Sequence, residues 1–182
     1  MALLDACALY PAPIRGLLLQ LASFGLYTPK WTARIPDEWT RHLLKNRADL
    51  NAGQLQKTVA ALRAAFPAAE VKQDEPLLAA LDLPDPDDRH ILAAAMRCQA
   101  TIIVTANLKD FPAHQLAQFD IGAQHPAVIT TNLIDLNPEP ARVAFRQQVS
   151  FLKNPPRTVT QVLDNFRQVQ LKASADKLAA LL

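Results

Sequence analysis

Glycine is scarce in this sequence. There are four in 182 residues, with no Gly-x-Gly-x-x-Gly and no Gly-Lys-Ser/Thr run. That argues against dinucleotide-binding folds and P-loop phosphate cradles. Cysteine is scarcer still. Cys7 and Cys98 make no disulfide framework and no metal-ligand spacing. Both sit in apolar stretches and read as buried thiols, consistent with a reducing, cytoplasmic setting. His42, His90, His114 and His125 also lack metal-ligand spacing and read as surface or structural histidines. No apolar run approaches the ~20 residues of a membrane span, so no membrane association is expected. The opening Met-Ala-Leu-Leu-Asp carries no basic region, and no signal peptide is expected. Aromatics make up 6% of the chain, too few for base stacking to dominate nucleic-acid binding. The formal net charge of +2 neither demands nor excludes nucleic acid.

What the chain does have is apolar content, at 50%, and proline, at fourteen residues. That is enough for one full core and an appendage. Ala2-Leu3-Leu4-Asp5 reads as a short buried strand ending in an acid. Pro11 and Pro13 open a leucine-dense helix from about 14 to 24. Thr32 is placed to cap a second helix, with Ile35, Trp39, Leu43 and Leu44 on one face. Leu55, Val59, Leu62 and Phe66 give a third helix its stripe. Residues 69–72 suit a short strand. Asp85 is a good N-cap, with Pro86 at the first helical position of a helix running to about 100. Residues 101–105 form a β-branched strand buried on both faces. A short helix after Pro112, a weak strand at 121–123 and a helix at 126–136 complete the series. Asn137-Pro138-Glu139-Pro140 reads as a boundary. Three amphipathic segments follow, at about 141–153, 159–169 and 174–182, the second with a Thr158/Gln161 capping box. Strand–helix alternation up to Leu136 implies an α/β fold, a parallel sheet sandwiched by helices, with a helical extension over 137–182.

Four acids fall where such a fold does chemistry. Asp5 ends the first strand, and Asp110 lies just past the strand that ends at Thr105. The ends of parallel strands share one edge, where ligands bind. Asp88 stands in the first turn of the helix before that strand, so it reaches the same edge, and Glu38 is placed there by its own helix. Ile91, Leu92 and Ala95 follow Asp88 at three, four and seven positions, which favours it over Asp87 as the inward acid. Asp85 reads as a cap, and Asp37 and Asp87 as solvated. Two like charges ~5 Å apart at an effective dielectric of ~20 repel by roughly 3 kcal/mol. Either some of these acids are protonated or a divalent cation sits among them. An all-oxygen site suits Mg²⁺ or Mn²⁺, a tool for in-line displacement at phosphorus.

These residues resemble the PIN-domain ribonucleases, specifically their VapC-type toxin branch, over residues 1–136. Leu-Leu-Asp5-Ala-Cys is similar to that family's opening strand. Ile35-Pro-Asp-Glu38-Trp is similar to its second-acid helix, and Asp88-Arg-His-Ile-Leu-Ala-Ala-Ala95 to its third. Thr105-Ala-Asn107-Leu-Lys-Asp110-Phe111 is similar to its Thr-x-Asn/Asp-x-x-Asp-Phe signature. The tail after Asn137 resembles a helical extension of one subgroup. The resemblance implies a PIN-like three-layer α/β/α sandwich. It also implies a Mg²⁺- or Mn²⁺-dependent endoribonuclease, usually dimeric and held inactive by a cognate antitoxin. On this reading Asp5, Glu38, Asp88 and Asp110 are metal ligands, and Thr105 and Asn107 stand behind them or orient water. Arg34, Arg41, Lys45, Arg47, Arg89 and Lys109 flank the acids and can bind RNA phosphates with salt-dependent affinity. The competing reading is a catalytically inactive PIN-like module that binds RNA or protein, against which all four acids are retained. A metal-dependent phosphatase or DNA-directed nuclease on the same acids is a third. The lack of Asp-x-Asp after the first strand weakens an aspartyl-phosphate version.

Overall fold

Parallel pairing of short strands organises the first of two units. The computed structural model describes residues 1–72 and 75–182. In chain order the helices and strands are β1 (Ala2–Leu4), α1 (Ala6–Leu9), α2 (Ala12–Ser23), β2 (Pro29–Thr32), α3 (Arg34–Asn46) and α4 (Ala52–Ala65). Then come β3 (Glu70–Val71), α5 (Arg89–Arg97), β4 (Ile102–Val104), α6 (Ala113–Leu116) and β5 (Gly122–Gln124). The rest is helical: α7 (Pro126–Leu136), α8 (Pro138–Phe151), α9 (Val159–Gln168) and α10 (Lys172–Ala180). Short 3-10 turns occupy Pro86–Asp88 and Leu108–Asp110.

Residues 1–10 and 28–124 form the first unit. Its sheet runs in the order β3-β2-β1-β4-β5, all parallel. Strand order reverses at the β1/β4 pair, where Leu4 lies opposite Val104. The carboxyl ends of those two strands flank the crevice in which open α/β sheets bind ligands. Helix α5 packs on β1, β2 and β4, and α1 packs on α3. The second-acid helix is thereby held against the turn that follows Asp5. Leu3, Leu4, Trp31, Ile35, Trp39, Ile91 and Ile103 are fully buried, each such side chain contributing roughly 1.5–3 kcal/mol. Trp31 meets Phe66 edge-on at 5.9 Å.

Residues 11–27 and 125–182 form the second unit, which is all helical. Within it α2 packs on α7, α8 and α9, and α10 on α7 and α9. Phe145 and Phe166 meet at 5.7 Å between ring centres. A β-carbon on Gly16 would lie 2.5 Å from Gln148 Nε2, so any larger residue there makes the glutamine side chain move. The Thr158/Gln161 capping box is present in both directions.

The expected α/β fold with a parallel sheet and a helical C-terminal segment is present. Two local readings differ. Thr32 does not cap α3. It is the last residue of β2, a strand hidden by Pro29 and Lys30, and α3 has no side-chain cap. Pro86–Asp88 is a 3-10 turn rather than the start of one long helix, and α5 begins at Arg89. Helices α2 and α7 group with the later helices in the second unit. Local sequence reports a helix's apolar stripe but not its partner.

Thr32 is 2% exposed, and its hydroxyl has no hydrogen-bond partner among the described residues. Replacing the unpartnered hydroxyl with a methyl removes a desolvation penalty. Thr32→Val is expected to stabilise the chain by about 1 kcal/mol in urea denaturation, with an unchanged denaturant slope.

Candidate metal centre

The chain enters the site through Asp5. Its backbone N–H donates to the Val104 carbonyl at 3.0 Å, extending the β1/β4 pairing by one residue. Asp5 occupies the N-cap position of α1, yet its carboxylate makes no capping bond. Instead its Oδ2 accepts from the Thr105 hydroxyl at 2.7 Å and the Cys7 thiol at 2.8 Å. Thr105 is fully buried, and Asp5 is 7% exposed. The Thr105 Oγ1 in turn accepts from the Asn107 backbone N–H at 3.0 Å. A single hydroxyl thus joins the first acid to the loop carrying the fourth. In that loop the Asn107 side-chain amide donates to Asp110 Oδ2.

Cys7 was not anticipated. Its Sγ contacts Asp5, sits 3.2 Å from Thr105 Oγ1 and accepts from the Ala106 N–H at 3.1 Å. Burial, then the Asp5 charge, pushes its thiol up to about 12. The only sequence signal was its place two residues after Asp5.

Glu38 lies in the second turn of α3, which begins at Arg34. Its Oε1 is 3.5 Å from His90 Nε2. The preceding Pro36 is buried within the helix, and its carbonyl accepts the Thr40 hydroxyl at 2.7 Å.

Among the described residues, the group of carboxylates with ligand atoms all within 4.8 Å of one another is Asp85, Asp88 and Asp110. Two of these were expected. Asp85 was read as a cap, and it does cap: its Oδ1 accepts from the Asp87 N–H at 2.9 Å. The 3-10 turn also turns it toward Asp88. Asp5 and Glu38 stand outside this tight triplet, but their charges reach it. The Asp88 carboxyl is pushed up to about 7, first by burial and then by Asp5, Asp85, Asp110 and Glu38. No donor among the described residues bonds the Asp88 carboxylate. It is the acid on which the crowding falls. Asp37 and Asp87 are exposed, as expected.

A crowded set of oxygen donors, one of them held partly protonated near neutrality, fits a hard divalent cation. No softer cluster competes among the described residues.

Comparison with known proteins is consistent with this geometry. Residues 1–109 match the family described as PIN domain, and residues 126–180 match the family described as VapC50 C-terminal domain. The chain belongs to the PIN-domain family. It is of the VapC type and carries that type's C-terminal extension. A curated Mycobacterium tuberculosis H37Rv relative, named "Putative ribonuclease VapC50", is 40% identical over 77 residues. The match covers 42% of this chain and 46% of the relative, so the chain spans less than half of that protein's length. No solved structure matches the chain. The PIN match contains Asp5, Glu38, Asp88, Thr105 and Asn107.

Asp88 sets a pH dependence for this PIN domain. Its folded pKa of about 7 lies above the unfolded value. Between about pH 4 and pH 7 the folded state therefore holds a proton that the unfolded state has lost. Stability is full below that window and falls as pH rises through it. Asp88→Asn removes the fall. Solvent screening at this half-buried group limits the relief to about 1 kcal/mol, or roughly 2–4 °C in Tm. In metal-free protein the variant is expected to melt higher than wild type at pH 8 and equally at pH 4, by calorimetry with chelator present.

Proposed function

We propose that this chain is a Mg²⁺- or Mn²⁺-dependent endoribonuclease that hydrolyses RNA phosphodiester bonds in the cytoplasm, as the toxin of a toxin–antitoxin pair. The observation that carries the reading is the displaced Asp88 carboxyl, burdened by burial and by four neighbouring acids. A fold that concentrates five carboxylates at a strand-order reversal carries a standing electrostatic cost, and a bound cation offsets it. The name of the mycobacterial relative and the VapC-type membership support the same activity.

In this reading Asp5, Glu38, Asp88 and Asp110 hold the cation. When bound, the cation supplies positive charge to the scissile phosphate and to the attacking water. The chain's own groups set the orientation. Thr105 and Cys7 fix the Asp5 carboxylate through Oδ2. Asn107 fixes Asp110. No side chain is needed as nucleophile. Arg34, Arg41, Lys45 and Lys109 are exposed near these acids in sequence and are available to RNA phosphates. Arg47 is engaged by Asp49 at 2.7 Å, and Arg89 lies 3.7 Å from Asp82. All six site residues lie in the first unit, so the second is read as an extension without catalytic residues. A cognate antitoxin and a homodimeric toxin complete the proposal, supported by the VapC-type membership alone.

The test is cleavage of structured RNAs with Mg²⁺ or Mn²⁺, comparing wild type with Asp5→Asn. Loss of a metal ligand is expected to slow cleavage at least ~100-fold, the scale on which such charge stabilisation operates. Identical product patterns and rates from the two proteins would sink the catalytic reading and leave an RNA- or protein-binding module.

A further inference from the structure

Two guanidinium groups share a cavity beside the acids, and neither makes a hydrogen bond among the described residues. The cavity measures about 360 Å³ and lies within the first unit. Small-ligand sites run from roughly 300 to 1,000 Å³. Arg34, Arg89, Asp87, Pro86 and Leu78 line it, with Ala79 and the buried His90.

Arg89 is the more constrained of the two arginines. Its side chain is 33% exposed, and its Nε is buried without a partner among the described residues. The ion pair to Asp82 spans 3.7 Å, and that acid is 86% exposed. Such a pair is too long for a hydrogen bond and contributes little. A guanidinium carries five donors, and leaving them idle in a half-buried place is costly.

The position of the cavity is set by the site. Arg34 precedes Glu38 by four residues on α3, one turn or ~6 Å along the helix. Arg89 follows Asp88 directly. His90 lines the cavity and also lies 3.5 Å from Glu38 Oε1, so one side chain separates the cavity from the second acid.

The lining also describes an occupant. Two guanidiniums against the one carboxylate of Asp87 leave a single positive charge, the complement of one phosphodiester. Planar guanidinium forks match phosphate oxygens two at a time. Pro86, Leu78 and Ala79 add an apolar surface that a bare anion does not need and a ribose or base covers.

We propose that this cavity binds one nucleotide of the RNA strand beside the cleaved bond, with Arg34 and Arg89 on its phosphate. The proposal rests on the ribonuclease reading given above.

Binding is measured on the full chain in chelator, where the proposed cleavage is off, by anisotropy of a short fluorescent oligouridine. Arg34→Gln and Arg89→Gln are each expected to weaken binding about tenfold, the scale of a hydrogen bond to a charged group. Because both act on one phosphate, the double variant is expected to lose less than the product of the two. Its salt slope is expected to fall by about 0.7, one phosphate of a single strand. Lys57→Gln, an equal change of charge at an exposed position of α4, is expected to cost less than about twofold. Arginine losses no greater than that of Lys57→Gln, or an unchanged salt slope, overturn the proposal.

Should the arginine variants fail to fold, the ¹⁵N resonance of Arg89 Nε in the wild-type chain decides. Uridine monophosphate is expected to move it at lower concentration than inorganic phosphate does, and uridine to leave it in place. A resonance that uridine monophosphate leaves unmoved refutes the site. Inorganic phosphate acting as strongly refutes the nucleotide, and oligoglutamate displacing the oligouridine as readily refutes RNA in favour of an acidic peptide. RNA cut in chelator removes the metal-dependent reading, whereas intact RNA with no arginine effect removes only the cavity.

Discussion

Repulsion among carboxylates is the constraint on which the first unit turns. Asp5, Glu38, Asp85, Asp88 and Asp110 all act on one region, and nearly every polar contact there limits what that crowding costs. Thr105 and Cys7 donate to Asp5, Asn107 to Asp110, and the Asp87 backbone to Asp85. Hydrogen bonds to the charged form favour it. Asp88 has no such donor among the described residues, and burial and then its acidic neighbours push its carboxyl up to about 7. The pattern is a division of labour: Asp5, Asp85 and Asp110 are aimed by donors, and Asp88 is left to respond to whatever cation or proton arrives.

The sheet explains why these groups meet. Placing β1 beside β4, out of sequence order, sets the residue after each strand side by side. Asp5 and Thr105 are a hundred positions apart in the chain and 2.7 Å apart through their side chains. The short helix α1 then packs on α3, carrying the second acid's helix to the first acid. Helix α5 lies on the central strands and delivers Asp88 from its N-terminal end. No loop has to be long or flexible to assemble the site. Backbone pairing at its base keeps the first and fourth acids in register.

Strand-end acids were legible in the sequence because an acid closing a short apolar strand has little other reason to be there. Asp5 fell out of that argument, Asp110 out of its place just past the strand that ends at Thr105, and Asp88 out of the apolar spacing behind it. Asp85 was not legible as a member of the carboxylate group. Caps and ligands are drawn from the same residue types, and only the 3-10 geometry of Pro86–Asp88 turns Asp85 toward Asp88. Strand β2 was hidden because Pro29 and Lys30 read as loop and Thr32 as a cap, while its strand character comes from pairing with neighbours on both sides. Cys7 looked like an ordinary buried thiol, and His90 like a surface or structural histidine. Their significance depends on what lies across from them, which periodicity does not encode. The grouping of α2 with α7–α10 is a tertiary fact of the same kind.

The sulfur of Cys7 has one more consequence. A thiol raised to about 12 stays protonated at any pH a cell maintains. Thiolate is the form that attacks electrophiles, reacts with peroxide and captures zinc or copper. Cys7 therefore stands beside Asp5 as a proton donor, chemically closer to a serine than to a reactive cysteine. A protonated sulfur beside Asp5 leaves the carboxylate oxygens as the donors of this region, and gives peroxide no thiolate to attack there.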